Sequence, residues 1–287
     1  MNIVYLNGNF IPLDQAKISV MDRGFLFGDG VYEVIPVYHQ RLFRVNQHLT
    51  RLRNSLHAIK LSININHEEW QTILNQLIQC NELTTEDFSI YIEITRGACE
   101  QRSFHFPIPT QPTIFARCMP QYTKSFEELA KGGSAITTPD TRWQNCYVKA
   151  ITLLPSVLAS QEAKEQNALD AIFIRNGHAL EGASSNLFIV KNQKIITTPI
   201  NHHILAGITR DLLIELMQKH HIDFEQRLIN ENELYEADEI WLTGSTKEIL
   251  PIIALNSKPV GNGKTGPAWY KITKLYFDYK LEVQDNF

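Results

Sequence analysis

Lys149 has the most chemistry to offer. It is the single charge in Cys146-Tyr-Val-Lys-Ala-Ile-Thr-Leu-Leu-Pro155. An ammonium drawn into apolar surroundings loses hydration, its pKa falls, and the free amine becomes a nucleophile towards carbonyls. The same run also suits a lysine whose stem follows the surface while its charge reaches water, and the run alone favours that plainer arrangement. Glu181 follows an Asn176-Gly177 turn and precedes Gly182-Ala-Ser-Ser-Asn186, small residues that let a flat ligand approach closely. Opposite a pyridine nitrogen its carboxylate would keep that nitrogen protonated, so that the ring draws electrons. The alternative is a solvated turn glutamate. Leu205-Ala-Gly-Ile-Thr-Arg210 sets a glycine and a hydroxyl at the start of an amphipathic pattern, an anion site if Ile208 and Thr209 open a helix. Thr243-Gly-Ser-Thr246 adds hydroxyls on flexible backbone, and Arg51 flanks the Leu49/Leu52 stripe. Each has a plain counterpart: a helix N-cap at Thr209, a turn at Thr243 to Thr246, and a solvated helix face for Arg51.

These residues need a frame. Ile3 to Leu6, Asn7-Gly8, then Asn9 to Pro12 reads as a tight hairpin, because Asn-Gly tolerates positive φ. The glycines from Gly24 to Gly30 interrupt the chain before a strand at Val31 to Tyr38. Leu49, Leu52, Leu56 and Ile59 mark a helical face entered at Asn46 as N-cap, and Trp70 to Ile78 marks a second helix. Strands follow at Phe88 to Thr95 and Pro112 to Cys118. A polar, proline-bearing break at Met119 to Ser125 separates an N-terminal domain, 1–120, from a C-terminal domain, 121–287. The second domain reads as a helix near Pro155 to Gln166 and strands at Ala171 to Arg175, His178 to Glu181, Asn186 to Val190 and Lys194 to Thr198. A helix from Thr209 to His220, a strand at Glu239 to Leu242 and a helix from Pro267 complete it. Strands and helices come in blocks, which predicts an α+β fold. Gly261-Asn-Gly-Lys-Thr265 looks like the tail of a phosphate loop, but Lys258 stands where that motif needs glycine, so a hairpin turn is expected.

The 287 residues are 44% apolar and 20% charged, as in a globular protein with a sizeable core. A net charge of −4 argues against nucleic-acid binding. No apolar stretch is long enough for a bilayer, and the N-terminus has neither basic nor long apolar character, so a cytoplasmic protein is expected. Cys80, Cys99, Cys118 and Cys146 lack metal or disulfide spacing, so no metal site is expected.

Taken in order, the motifs are more specific than any one of them. Asp22-Arg-Gly-Phe-Leu-Phe-Gly-Asp-Gly-Val-Tyr-Glu33, His48-Leu-Thr-Arg51-Leu and Thr95-Arg-Gly97 lead the series. Lys149-Ala-Ile-Thr-Leu-Leu, Glu181-Gly-Ala-Ser-Ser-Asn-Leu-Phe188, Leu205-Ala-Gly-Ile-Thr-Arg210 and Thr243-Gly-Ser-Thr-Lys-Glu248 complete it. This series resembles the fold-type IV (class IV) pyridoxal-phosphate aminotransferases over nearly the whole chain, and within them the D-amino-acid transaminases. The resemblance implies a two-domain α+β enzyme, a homodimer, that moves amino groups between D-amino acids such as D-alanine and 2-oxo acids such as 2-oxoglutarate by a ping-pong route. It makes Lys149 the Schiff-base lysine and Glu181 the partner of the pyridine nitrogen of pyridoxal 5'-phosphate. Arg51, Ile208, Thr209, Ser245 and Thr246 would bind the phosphate, and Leu205 would pack on the ring. Tyr32 and Arg102 would grip the substrate carboxylate, Arg102 reaching across a subunit interface, with His105 beside it.

Relatives on the same fold include branched-chain L-amino-acid aminotransferases and aminodeoxychorismate lyases. Val31-Tyr-Glu-Val34 resembles the D-amino-acid type rather than either. Two departures stand out: Arg102-Ser-Phe-His105-Phe-Pro107 carries its histidine one place late, and Gly244 stands where serine is frequent. A non-catalytic binding protein of the same fold would not need Lys149, Glu181 and the phosphate set together.

Overall fold

The computed structural model describes residues 2–81 and 87–285. It divides into two compact units, Met1–Tyr122 with Val148–Leu153, and Thr123–Tyr147 with Leu154–Phe287. Helices and sheets lie in separate blocks within each, an α+β arrangement.

The first unit is built on a six-stranded antiparallel sheet. Its strands are β1 (Ile3–Leu6), β2 (Asn9–Pro12), β3 (Gly30–Tyr38), β4 (Arg41–Leu42), β5 (Asp87–Thr95) and β6 (Thr113–Pro120), in the order β2-β1-β6-β5-β3-β4. Asn7 and Gly8 both take positive φ (48° and 92°), which turns β1 into β2. The glycine-rich stretch after Met21 is not mere interruption: it holds a one-turn helix, α1 (Arg23–Phe27), because the Asp22 side chain accepts from the Gly24 N–H and Gly28 supplies a left-handed C-cap. Helix α2 (Val45–Ala58) is entered through Arg44 at positive φ, so Asn46 lies inside the first turn and is not the N-cap. Helix α3 (His67–Asn81) follows. Strand alternation turns Val31, Ile35 and Val37 towards one side, where they share a core cluster with Leu49, Leu52 and Leu74. The Val148–Leu153 segment lies along the start of β3: the Tyr32 N–H donates to the Lys149 carbonyl (2.9 Å) and the Ile151 N–H to the Gly30 carbonyl (3.1 Å).

The second unit begins with α4 (Phe126–Ala130) and β7 (Gly133–Pro139). Helix α5 (Leu154–Glu165) leads to β8 (Asp170–Arg175), β9 (His178–Gly182), β10 (Asn186–Lys191) and β11 (Lys194–Thr197). Helix α6 (Ile208–Lys219), β12 (Phe224–Gln226), β13 (Ile229–Asn230), α7 (Glu233–Glu236), β14 (Glu239–Gly244), β15 (Glu248–Leu255), β16 (Lys258–Pro259) and α8 (Pro267–Asp285) complete the order. The sheet runs β12-β11-β10-β14-β15-β7-β8-β9-β13, and a further pairing of Glu181 with Asn186 joins β9 to β10, closing six strands into a ring. Strands β7 and β15 were hidden from periodicity: β7 opens with glycine and ends with proline, and β15 contains Pro251. That proline is tolerated because pairing of β15 with β7 starts only at Ile252. Gly261 and Gly263 take positive φ in a turn that leads into helix α8, not into a second hairpin strand.

Leu74 is fully buried in the core that α3 shares with α2, β1 and β6, so Leu74→Ala should lower stability by about 2–5 kcal/mol. A urea midpoint unchanged in the first unit's unfolding transition would show that the core collapses around the missing methyls.

Candidate active site

In the first unit, Lys149 is half-buried between buried Val148 and Ala150. Its backbone N–H donates to Ser55 Oγ (3.1 Å), which ties the segment to α2, and its Nζ stands 4.1 Å from the centre of the Tyr32 ring. The apolar neighbours thus fix the stem, and the ring face meets the charge. Tyr32 leans on Tyr91, whose hydroxyl donates to Glu93. Adjacent strand residues face opposite ways, so Glu33 turns inward where Tyr32 turns outward. There Arg51 Nε donates to Glu33 Oε2 (2.9 Å) and Nη2 to Oε1, while His48 Nδ1 meets Oε1 at 3.0 Å. Burial alone would raise the Glu33 pKa, but Arg51 and His48 outweigh it and hold the carboxyl well below the usual range. Burial lowers the His48 pKa although Glu33 acts against the fall, and facing a carboxylate its Nδ1 is the donor. Arg51 is therefore not a solvated surface residue; its reach is set by Glu33.

Arg102 and His105 lie in an exposed loop. The Arg102 guanidinium carbon is 4.7 Å from the centre of the Phe27 ring and 5.8 Å from that of Phe104, while the His105 side chain is exposed.

In the second unit, Glu181 is buried and accepts from Arg142 Nη1, from the Leu205 backbone N–H (3.0 Å) and from Asn186 Nδ2 (3.1 Å). Burial raises its pKa although Arg142 acts against the rise. Arg142 in turn is gripped by Asp140, whose Oδ1 accepts from both Arg142 Nε (2.9 Å) and the Arg142 backbone N–H (3.0 Å). Arg175 pairs with Asp140 as well (3.0 Å). Helix α6 starts at Ile208 with Gly207 as N-cap, so Thr209 sits in the first turn and does not cap. A Cβ at Gly207 would fall 1.8 Å from Asn186 Oδ1, so only glycine brings the helix start this close. Asn186 is paired across strands with Thr243, whose buried Oγ1 has no partner among the described residues. Ser245 and Thr246 continue from there into the turn before β15. The helix start and the Thr243 hydroxyl thus meet at Asn186, and the Ser245–Thr246 turn follows directly on the same strand, a donor set suited to phosphate.

Sequence reasoning missed Arg142, Asp140 and Glu33 as parts of these clusters, and took Gly207 as part of the helix start without making it the N-cap. One local signal was available: Asp140-Thr-Arg142 has the spacing at which an aspartate accepts from the backbone two residues on.

Residues 30–255 match the amino-transferase class IV family. The chain is 37% identical over 280 residues to a D-alanine aminotransferase of Staphylococcus aureus strain COL, covering 97% of this chain and 98% of that one. It is 34% identical over 264 residues to a D-alanine aminotransferase of Bacillus licheniformis, covering 92% of each. Among solved structures, the branched-chain amino acid aminotransferase of Escherichia coli superposes with a TM-score of 0.89 at 26% identity, covering 96% of this chain and 94% of that one. That of Thermoproteus uzoniensis, solved with norvaline, gives 0.86 at 27%, covering 96% and 93%. The chain belongs to the class IV aminotransferases.

Glu33→Gln would leave the Arg51 guanidinium without its carboxylate, at a cost of about 3–5 kcal/mol. Because the folded carboxyl is depressed, its contribution is complete above the unfolded value of about 4.3 and fades as pH falls through that value towards the folded one. Urea midpoints should therefore separate wild type from Glu33→Gln widely at neutral pH and converge below about pH 4. Equal midpoints at neutral pH would contradict the buried pair.

Proposed function

We propose that the protein is a pyridoxal-phosphate-dependent D-amino-acid transaminase that exchanges amino groups between D-alanine and 2-oxoglutarate. The observation that carries the cofactor is the donor set around Asn186: a helix start without a side-chain cap and an unpartnered, buried Thr243 hydroxyl, on the same cluster as the buried carboxylate of Glu181. A dianionic phosphate fits the first two and a protonated ring nitrogen the third. Identity of 34–37% to D-alanine aminotransferases over more than nine-tenths of the chain supports the substrate.

When bound, pyridoxal phosphate supplies an aldehyde for the amine and a ring that draws electrons from the substrate's Cα. Lys149 Nζ, kept above the Tyr32 ring, would take the proton from Cα of the amino acid and, in the second half-reaction, give a proton to Cα of the former oxo acid. Glu181, paired with Arg142, would hold the ring nitrogen in its protonated form. The backbone N–H groups of Ile208 and Thr209, the turn at Ser245 and Thr246, and Arg51 would bind phosphate, with Leu205 against the ring. Tyr32 and Arg102 would receive the substrate carboxylate, since a guanidinium fork matches it, with His105 on the same loop.

The protein would work in the cytoplasm, whose reducing conditions agree with four free cysteines. Among the described residues no helix is long and apolar enough to cross a membrane. A homodimer would cover Phe104 and Ile108, which are 79% and 98% exposed beside Arg102. Sedimentation should then give twice the chain mass, and a monomer at working concentration would refute the dimer.

Purified enzyme should form pyruvate from D-alanine and 2-oxoglutarate but leave L-leucine untouched. Turnover of L-leucine alone would make it a branched-chain enzyme, and pyruvate release from aminodeoxychorismate without an amino acceptor would make it a lyase. Lys149→Ala should abolish turnover and leave the visible spectrum that of free cofactor; normal turnover in this variant would end the mechanism.

A further inference from the structure

The motif Asp22 to Glu33 is absorbed only at its end by the proposed site; its first half holds the Arg102 loop. Arg23, only 3% exposed, turns away from solvent although it lies in a one-turn surface helix. Its Nη1 donates to the carbonyls of Ser103 and His105 (3.2 Å), and its Nε donates to Asp29 Oδ2 (2.8 Å). Asp29 is shared: Arg96 Nε reaches the same oxygen at 2.8 Å and Nη2 reaches Oδ1 at 3.0 Å. Arg96 also carries the ring of Phe106, 3.6 Å from its guanidinium carbon to the ring centre. Two arginines bridged by one aspartate thus grip the loop on both sides of His105. The base of the loop is equally tight, since a Cβ on Gly97 would fall 1.8 Å from the Gln111 carbonyl oxygen.

Arg102 is the residue this grip presents. Its guanidinium lies over Phe27, the last residue of the helix that Arg23 begins, and beside Phe104. Ring faces attract a cation without using its N–H groups. Among the described residues Arg102 has no ion pair and no hydrogen bond, so its fork is held in place with its donors uncommitted. That is the state in which an arginine binds an incoming carboxylate without first breaking bonds or losing rotamer freedom.

We propose that Arg23 and Asp29 are positioning residues for substrate recognition: they hold the Ser103–His105 backbone so that Arg102, stacked on Phe27, is preset for the carboxylate of the amino acid and of the oxo acid. This rests on the assignment of Arg102 to the carboxylate made above. Neither residue touches substrate; both act through the loop.

The test is a double-mutant cycle on the holoenzyme, joined to proteolysis of the cofactor-free protein. Arg23→Gln should raise KM for D-alanine and for 2-oxoglutarate about tenfold, the equivalent of losing one charged hydrogen bond, with kcat little changed. Asp29→Asn, which keeps shape and removes the shared charge, should act in the same direction. Arg23→Gln combined with Arg102→Ala should be no worse than Arg102→Ala alone, because the clasp serves only that side chain. In cofactor-free protein, trypsin should cut after Arg102 faster in Arg23→Gln than in wild type. Phe27→Leu should raise KM without faster cutting, since it removes the ring and leaves the clasp. Multiplied losses in the double variant, or unchanged KM and unchanged cutting in both Arg23→Gln and Asp29→Asn, would overturn the clasp while leaving Arg102 as the grip. A normal KM in Arg102→Ala would overturn both the clasp's purpose and the carboxylate assignment.

Discussion

A carboxylate removed from water must meet a cation or several N–H groups, or it will not remain ionised. This protein meets that constraint wherever a functional segment has to be held. Glu33 is closed by Arg51 and His48, Asp29 by Arg23 and Arg96, Asp140 and Glu181 by Arg142, and Asp170 by Lys247. The Glu33, Glu181 and Asp170 pairs each tie a helix or loop to a strand, β3, β9 and β8 in turn, while Asp29, Arg96 and Asp140 stand immediately beside strand ends. Such pairs add little net stability compared with apolar packing, yet losing one partner is costly, so they work as geometric locks.

The locks divide by task. Glu33 is on β3, and its neighbour Tyr32 faces the other way under Lys149, so one strand position fixes the arginine and the next meets the lysine. Glu181 sits where β9 meets β10, so the pairing that closes the ring of strands also sets its carboxylate. Asn186, its partner in that pairing, passes the restraint on to the start of α6 through Gly207 and to β14 through Thr243. Asp170 completes the frame from the far side: it accepts from Ser185 Oγ (2.7 Å) and from Lys247, which borders the Ser245–Thr246 turn. The side chains of Glu181, Asn186, Asp170 and Ser185 are thus buried and mutually oriented, which is how a site keeps its geometry before a ligand arrives.

Much of this was legible in the sequence, for identifiable reasons. Alternation and helical spacing expose β3, β5, α2 and α3 because one face of each is buried. Lys149 and Glu181 stand out because each breaks a local pattern, a charge in an apolar run and a carboxylate before small residues. The start of α6 was visible as a glycine before a hydroxyl, although the cap proved to be Gly207. What stayed hidden was long-range. Strand β15 is masked by Pro251, which only the absence of a β7 partner at that point makes harmless. Arg142 and Glu181 are 39 residues apart, and Arg23 and Ser103 are 80 apart, so no window of sequence shows that they meet.

The Asp22-to-Glu33 motif shows why such pairs accumulate in one stretch. Its backbone must make a one-turn helix, reverse through Gly28 at φ 66°, and enter β3 within a few residues. A chain that changes direction this often cannot bury much apolar surface of its own, so packing alone would leave it loose. Asp22 fixes the helix start and also accepts from Thr113 Oγ1 (2.6 Å) on β6; Asp29 then gathers Arg23 and Arg96. The segment therefore borrows rigidity from β5 and β6 through charge and hydrogen bonds, and passes it to the loop that carries Arg102. A motif that in sequence reads as a string of glycines and charges is, in three dimensions, the joint through which the sheet orients a surface loop.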